Sequence, residues 1–335
     1  MGEIPRRDTV LKSYSPPALH GATLIRFPGT AHAMKIAFAA CMRRETIPEQ
    51  TVWRDVLAAD PDCLLLLGDL IYMDYGLPVL SPEPPGKPRE YSLVKFRQVM
   101  EAKYRAQWEE PNFRALVDAM RARHALFATW DAHDFAWRGA RGKAVPGETR
   151  QLSRKLFNRW VYGHEVDAEI YRYVDFPLVR VIMLDTRFYA EAPGPTDAEL
   201  LGEAQWRFLE KALHHNRAYT IVCSGLTIDQ GGENWAQYPA ELARLRALLT
   251  LRQHVLFLSG DIHENSFRYH NGPSILFEAT SSGAAINKLG LPFGISNRRN
   301  WGLIELGEEQ VFVRLNSRRG NASHTIDAVT WREAP

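Results

Sequence analysis

Two stretches of the sequence decide the fold. Residues 64–74 read LLLLGDLIYMD, and residues 255–263 read VLFLSGDIH. Each is an unbroken apolar run followed by Gly-Asp, and such a run is typical of a strand buried on both faces in a covered parallel sheet. Ligands of these sheets bind outside the carboxyl ends of the strands. Because carboxylates and an imidazole fall at these ends, the pattern indicates a metal site.

The composition is that of a globular protein with a large core. Hydrophobic residues make up 45% and charged residues 24% of the 335 residues. The 41 basic and 39 acidic residues leave a formal charge of +2. This balance gives no general reason to expect binding to nucleic acid or to an anionic membrane.

The location is predicted from hydropathy and from the cysteines. No uncharged apolar stretch reaches the roughly 18 residues of a membrane span, and the amino terminus lacks the apolar segment of a secretory signal. Cys41, Cys63 and Cys223 are odd in number, widely spaced and next to strand-like runs. They are expected to be buried free thiols rather than a disulfide framework. We therefore predict a cytoplasmic protein.

Helical periodicity and apolar runs alternate along most of the chain. Predicted strands include 34–40, 63–67, 125–130, 179–184 and 219–223, and predicted helices 48–59, 150–162, 199–215 and 239–252. After residue 261 short strands follow one another with little helix between them, and the five prolines of 76–90 predict an irregular loop. The pattern predicts an α/β fold in which one sheet packs on another. We expect an N-terminal extension over 1–33 and a single domain over 34–335.

Polar side chains follow five of the predicted strands. They are Cys41, Asp69 with Tyr72, Asp131 to Asp134, Ser224, and Asp261 with His263. One Gly-Asp after a strand is weak evidence, because aspartate is also common in turns, where its side chain hydrogen-bonds to the local backbone. Several such clusters at one edge of one sheet favour metal ligation over turn chemistry.

His133 lies in the segment WDAHDF, between Asp131 and Asp134. A neighbouring carboxylate would orient the imidazole or raise its pKa, which suits a general acid that protonates an alkoxide leaving group. The alternative is a helix-capping aspartate beside a surface histidine. The segment alone leaves both interpretations open.

Seven motifs give the chain a resemblance to a known family. In order they are FAAC (38–41), GDLIYMD (68–74), WDAHDF (130–135), LDTR (184–187), LGEAQWRFLEKAL (201–213), SGDIHEN (259–265) and the looser NRRNWG (297–302). The chain resembles the PhoD-like alkaline phosphatases and phosphodiesterases of the calcineurin-like metallophosphatase superfamily. The resemblance implies a four-layer α/β-β/α sandwich. It leaves no room for the β-sandwich domain that often precedes the catalytic domain in this family.

The resemblance also implies a metal-dependent phosphoric ester hydrolase that uses a metal-bound hydroxide as its nucleophile. The implied metal ligands are Cys41 as thiolate, Asp69 as the bridge, Tyr72 as phenolate, and Asp131, Asp261 and His263. His133 is implied to lie beside the substrate as proton donor or oxyanion stabiliser. Thiolate and phenolate suit Fe³⁺ and carboxylates suit Ca²⁺, with Mn²⁺ or Zn²⁺ as alternatives.

One position departs from the family pattern. The family usually reads Trp-Asp-Asp-His, whereas this chain has Ala132 at the second acidic position. Either Asp131 or Asp134 takes over as the ligand, or the second metal is weak or absent. Two alternative functions follow: a binding protein with an incomplete metal site, and a metal-assisted hydrolase of esters without phosphorus.

The expected partner is a small phosphate ester, and two arginines are candidates to bind it. Arg138 and Arg298 lie in glycine- or asparagine-containing loops directly after matched motifs, where a guanidinium can form paired hydrogen bonds with phosphate oxygens. Surface solvation is the alternative role of each. The sequence leaves open the physiological ester, the preference for mono- or diesters, and the oligomeric state.

Overall fold

The computed structural model describes residues 33–74, 87–194, 197–250, 252–272, 275–286 and 298–334. The predicted extension 1–33 lies outside the described residues apart from Ala33, and so does most of the predicted loop 76–90. At the end of that loop, Pro88–Glu90 forms a single 3₁₀ turn, so the prediction of an irregular segment is wrong there.

Helices and strands alternate through the first two thirds of the chain, and strands dominate the last third. In chain order the elements are β1 (Met34–Met42), α1 (Val52–Ala58), β2 (Cys63–Leu67), α2 (Leu93–Trp108), α3 (Pro111–Ala122), β3 (Leu126–Thr129), α4 (Ala132–Phe135), α5 (Gly147–Tyr162), β4 (Arg172–Asp175), β5 (Val179–Met183), α6 (Glu203–Leu213), β6 (Tyr219–Cys223), α7 (Pro239–Leu249), β7 (Val255–Ser259), β8 (Asn265–His270), β9 (Leu276–Ala285), β10 (Trp301–Leu306), β11 (Gln310–Asn316), β12 (Ala322–Asp327) and β13 (Arg332–Glu333).

The strands form two halves that meet where β1 pairs with β9. The first half runs β3-β2-β1-β10-β11-β12-β13, and the second runs β4-β5-β6-β7-β9-β8. The apolar runs β2 and β7 lie inside these halves, each hydrogen-bonded to parallel neighbours on both sides. Both runs are buried along their whole length, as the sequence predicted.

Alternation along β1 shows how the layers are arranged. Ile36 and Phe38 belong to a core shared with residues of the second half of the sheet, such as Ile221. Ala37 and Ala39 belong to a core shared with α1 to α5. Since successive side chains of a strand point to opposite faces, β1 lies between helices on one side and a second sheet on the other.

Helices α6 and α7 cover the outer face of the second half in the same way, packing on β5, β6 and β7. The order of layers is helix, sheet, sheet, helix. This arrangement confirms the predicted four-layer sandwich. None of the helices in the described ranges combines the length and apolar composition that a membrane crossing requires.

A predicted helix start is wrong, and a strand was not predicted. The helix predicted over 48–59 begins only at Val52. The preceding turn is held by Gln50, whose side chain accepts a hydrogen bond from Trp53 Nε1 at 2.6 Å and donates to Gln107 at 3.0 Å. Strand β12 was not predicted because most of its side chains are exposed or half-buried, so its residues lack the apolar alternation that marks a strand.

Candidate metal centre

The carboxyl ends of β1, β2, β3 and β7 meet at one edge of the two sheets. They bring together Cys41 on β1, Asp69 just after β2, Asp131 just after β3 and Asp261 just after β7. This convergence follows from the topology, because β1, β2 and β3 are parallel neighbours and their ends face the same way.

Four residues of this edge have left-handed backbone conformations. The φ angles are 62° at Cys41, 55° at Asp69, 66° at Asp261 and 55° at His263. Positive φ is uncommon outside glycine, and such strain concentrates where a site requires it. Gly68, with φ 96°, also permits a close approach, because a Cβ there would lie 2.6 Å from Asp131 Cβ.

Four side chains form what we call the thiolate group: Cys41, Asp69, Tyr72 and His263. Asp69 Oδ2 lies 3.5 Å from Cys41 Sγ and 3.1 Å from the Tyr72 hydroxyl, and that hydroxyl lies 3.1 Å from His263 Nε2. Ser282 supports the group by donating to Cys41 Sγ at 3.2 Å and accepting from the His263 backbone at 3.0 Å. Cys41, Asp69 and His263 each place one ligand atom where the three could hold a metal ion together.

Three carboxylates form what we call the carboxylate group: Asp69, Asp131 and Asp261. Each offers an oxygen within 4.8 Å of an oxygen of the other two. Asp131 Oδ2 is buried and accepts no hydrogen bond from any residue in the described part of the chain. A buried carboxylate oxygen without a partner is costly unless it meets a cation, so this group could hold a metal ion.

Asp134, the other candidate to replace the ligand missing at Ala132, is already engaged. Its Oδ1 accepts from the Asp131 backbone at 2.6 Å and its Oδ2 from the Leu70 backbone at 3.0 Å. It therefore fixes the loops that carry Asp131 and Asp69. Of these two carboxylates, Asp131 is the one with an oxygen that no hydrogen bond from the described residues engages.

The imidazole of His133 is held by Asp74, and not by Asp131 or Asp134 as its neighbours in sequence suggested. His133 Nδ1 lies 2.6 Å from Asp74 Oδ1, and the His133 backbone donates to Asp69 Oδ1 at 3.2 Å. Burial opposes the charged imidazolium, but Asp69 and Asp74 outweigh it and raise the pKa of His133. Sequence reasoning missed Asp74, although it closes the motif GDLIYMD.

The arginines near the site differ in their contacts. Arg187 is buried and pairs with Asp131. Arg138 is exposed, and its backbone donates to Asp74 Oδ2 at 3.0 Å. Arg298 lies 3.5 Å from Glu264 through Nη2. Arg141 pairs with Glu233 through Nη2 at 2.8 Å.

A family model described as PhoD-like phosphatase matches residues 36–286, well over half of the chain. The chain belongs to the PhoD-like phosphatase family. Membership supports a metal-dependent phosphoesterase at the level of the family, and a small phosphate ester as its kind of substrate. The match spans every residue of the thiolate and carboxylate groups.

Solved structures show how far the fold of this PhoD-like phosphatase is shared. A structure of PhoD aligns with a TM-score of 0.66 at 18% identity, covering 92% of this chain and 72% of the other. A dimetal phosphatase from Danio rerio aligns with a TM-score of 0.51 at 12% identity, covering 87% of this chain and 98% of the other. At these identities the likeness shows the fold alone. A search of curated proteins found no match.

The pKa values of several candidate ligands are raised. Burial and the neighbouring Asp131 raise the pKa of Asp261 to about 7. Burial is also the largest cause that raises the pKa of Asp69, Cys41 and Tyr72. A bound cation would reverse these shifts, because it stabilises the ionised form of each ligand.

A second set of possible metal ligands lies elsewhere on the second half of the sheet, formed by Asp229, His270 and Glu278. Here hydrogen bonds already engage the buried members. Glu278 accepts from Ser259 at 2.8 Å and the Ile228 backbone at 2.9 Å, and lies 2.9 Å from His270 Nε2. We therefore interpret this set as a structural polar network.

Proposed function

We propose that this PhoD-like phosphatase hydrolyses phosphoric esters with metal ions held by the thiolate group and the carboxylate group. One observation carries the proposal: ligands from four strand ends converge at one edge, with left-handed backbone at Cys41, Asp69, Asp261 and His263. An ordinary set of turns would place neither a thiol nor an unpartnered buried carboxylate oxygen there.

The donor types support Fe³⁺ at the thiolate group and Ca²⁺ at the carboxylate group, with Mn²⁺ or Zn²⁺ as alternatives. Asp69 belongs to both groups and is proposed as the bridging ligand. Bound ions at such a centre supply Lewis-acid chemistry and a nucleophile at neutral pH. The protein contributes the spacing and orientation of the ligands.

His133 is proposed as the proton donor to the leaving oxygen. Asp74 holds its Nδ1, the ring lies 4.3 Å from the ring of Tyr72 between centroids, and Asp69 holds its backbone. With Nδ1 fixed, Nε2 is the nitrogen proposed to give the proton. This geometry supports the interpretation of His133 as a general acid over that of a surface histidine.

Arg138 and Arg298 are proposed to bind the non-reacting phosphate oxygens. Arg138 lies on the loop that donates to Asp74, next to the proposed acid. The Arg298 Cβ lies 3.3 Å from where a Cβ of Gly283 would be, beside the His263 backbone. Both guanidinium groups are therefore carried by segments that contact site residues.

The unpartnered oxygen of Asp131 favours a complete second metal position over an incomplete one. It thus supports an enzyme rather than a binding protein. We further propose a cytoplasmic location, supported by Cys41, Cys63 and Cys223, which are all buried free thiols.

The test compares substitutions of two aspartates that lie at opposite ends of β2. Asp69 follows β2, whereas Asp62 precedes it and accepts a hydrogen bond from the Lys35 backbone at 2.9 Å. We expect Asp69→Asn to lose at least about 10³-fold in kcat on p-nitrophenyl phosphate or bis-p-nitrophenyl phosphate, and Asp62→Asn to retain activity. Each protein is supplied with Ca²⁺, Fe³⁺, Mn²⁺ or Zn²⁺.

p-Nitrophenyl acetate is the substrate control, because it carries the same leaving group without phosphorus. If the protein hydrolysed the acetate and neither phosphate ester, it would be a hydrolase of esters without phosphorus, and the proposal would be wrong. No turnover of any substrate by the folded, metal-supplied wild type would leave only a binding protein.

A further inference from the structure

Arg187 is buried between two carboxylates from distant parts of the chain. Its side chain is 2% exposed, its Nε lies 2.6 Å from Asp131 Oδ1, and its Nη1 lies 2.8 Å from Glu233 Oε2. A buried charge is tolerated when opposite charges and hydrogen bonds compensate it. The two carboxylates together provide that compensation.

The two oxygens of Asp131, a member of the carboxylate group, differ in their partners. Oδ1 is held by the guanidinium, while Oδ2 is buried without a hydrogen-bond partner among the described residues. Oδ2 is therefore the oxygen of Asp131 that can bind a cation of the carboxylate group without giving up a hydrogen bond. Arg187 fixes the direction of that oxygen, in the way that outer partners orient metal ligands.

Glu233 is the second ion-pair partner of Arg187, in addition to Asp131. It is 23% exposed at the side chain and also pairs with Arg141 Nη2, at 2.8 Å. Arg187 by itself would repel a cation held by Asp131, and a carboxylate on its far side offsets that repulsion. Without Glu233, the carboxylates that offset the guanidinium charge would be Asp131 and Asp261, both members of the carboxylate group.

We infer that Glu233, acting through Arg187, is a positioning and charge-balancing residue that sets how tightly the carboxylate group holds a divalent cation. The inference rests on the proposed function, since it requires that this group holds a cation. Neither residue needs to touch the substrate. The effect falls on metal affinity, which can be measured without turnover.

Mn²⁺ is the probe, and its affinity is measured by competition with a fluorescent chelator on metal-stripped protein. The variants are Glu233→Gln, Arg187→Gln and the double variant. Asp175→Asn is the control, because it takes a carboxylate from a buried arginine at the other end of β5, where Arg180 Nε lies 2.7 Å from Asp175 Oδ1. Circular dichroism establishes that each variant is folded.

We expect Glu233→Gln to weaken the affected Mn²⁺ site about tenfold, and Asp175→Asn to leave it unchanged. The double variant should return to within about threefold of the wild type, because it removes one charge of each sign. An unchanged affinity in Glu233→Gln would overturn the inference. So would a double variant that binds as weakly as Glu233→Gln, since Arg187 would then act by geometry alone.

The Mn²⁺ measurement distinguishes failure of the proposed function from failure of the inference. A folded wild type that binds no Mn²⁺ at all would overturn the proposed function and the inference with it. A wild type that binds Mn²⁺ alongside an unaffected Glu233→Gln would overturn only the inference. If the double variant does not fold, the comparison of Glu233→Gln with Asp175→Asn decides the question.

Discussion

Replacing Asp261 with asparagine should stabilise the metal-free protein while disabling the metal centre. Asp261 follows β7 with φ 66°, a conformation that asparagine tolerates. Burial and then Asp131 raise the pKa of Asp261 from the ordinary 3.8 to about 7. In the metal-free protein this carboxylate therefore lowers the free energy of unfolding at neutral pH. The amide of asparagine removes the charge and has nearly the same shape.

The magnitude follows from proton linkage. Between about pH 4 and 7 the folded state binds more protons than the unfolded state, so the unfolding free energy falls as pH rises. A shift of about 3 pH units corresponds to about 4 kcal/mol at pH 7. The carboxylates of the group titrate together, so one substitution relieves about half of that. We expect Asp261→Asn to gain about 2 kcal/mol at pH 7 and nothing at pH 4.

The assay is urea denaturation of chelator-stripped protein, followed by circular dichroism from pH 4 to pH 8 and repeated with saturating Mn²⁺. The metal should stabilise the wild type more than Asp261→Asn, because ligand binding to the folded state adds to stability. Asp62→Asn, which removes the same formal charge away from the site, is the control. A metal-free Asp261→Asn that is no more stable than the wild type at pH 7 would refute the reasoning.

Three further perturbations test separate parts of the structure. Asp74→Asn should slow substrates with poor leaving groups more than p-nitrophenyl phosphate, since it removes the negative charge that stabilises the imidazolium of His133; an equal loss on both would contradict an acid role. Gly68→Ala should cost about 2–4 kcal/mol in urea denaturation, because φ is 96° and the new Cβ would meet Asp131; a cost below about 1 kcal/mol would contradict this. Burial lowers the pKa of His215 to about 4, so the unfolded state takes up its proton first as pH falls from 6.5 to 4. The wild type should therefore lose about 1 kcal/mol more than His215→Gln over that range, after allowance for partial exposure; parallel pH curves would contradict it.

Much of the fold could be predicted because its strands are buried on both faces. The runs at β2 and β7 have no polar alternation, and both lie inside parallel sheet as expected. Sheet packing on sheet followed from the β-rich end of the chain. What could not be predicted was β12, an edge-side strand whose exposed residues bury too little apolar surface to leave a pattern.

The site was predictable as a set of strand ends but not as a set of contacts. Asp69, Asp131 and Asp261 meet because parallel strands end at one edge. The pairing of His133 with Asp74 joins residues that are 59 positions apart in the sequence. The carboxylate next to His133, Asp134, instead accepts hydrogen bonds from backbone amides through both of its oxygens. Such choices depend on loop geometry that residue spacing does not encode.

The ion pairs that link Asp131 to Glu233 through Arg187 could not be predicted from the sequence either. Arg187 is a buried ion-pair partner of Asp131. Its second partner, Glu233, comes from a loop that carries no motif. Only the folded arrangement shows that a surface carboxylate lies two contacts away from the carboxylate group.

The proposed metal centre is tested most directly by anomalous X-ray diffraction from crystals grown with Mn²⁺. We predict one anomalous peak within the thiolate group and a second within the carboxylate group, with Asp69 in contact with the metal ion at each peak. Asp229, His270 and Glu278 should show none, since hydrogen bonds already engage their buried atoms. Peaks at that set alone, or no peak beside Asp69 in crystals that contain bound Mn²⁺, would contradict the central claim.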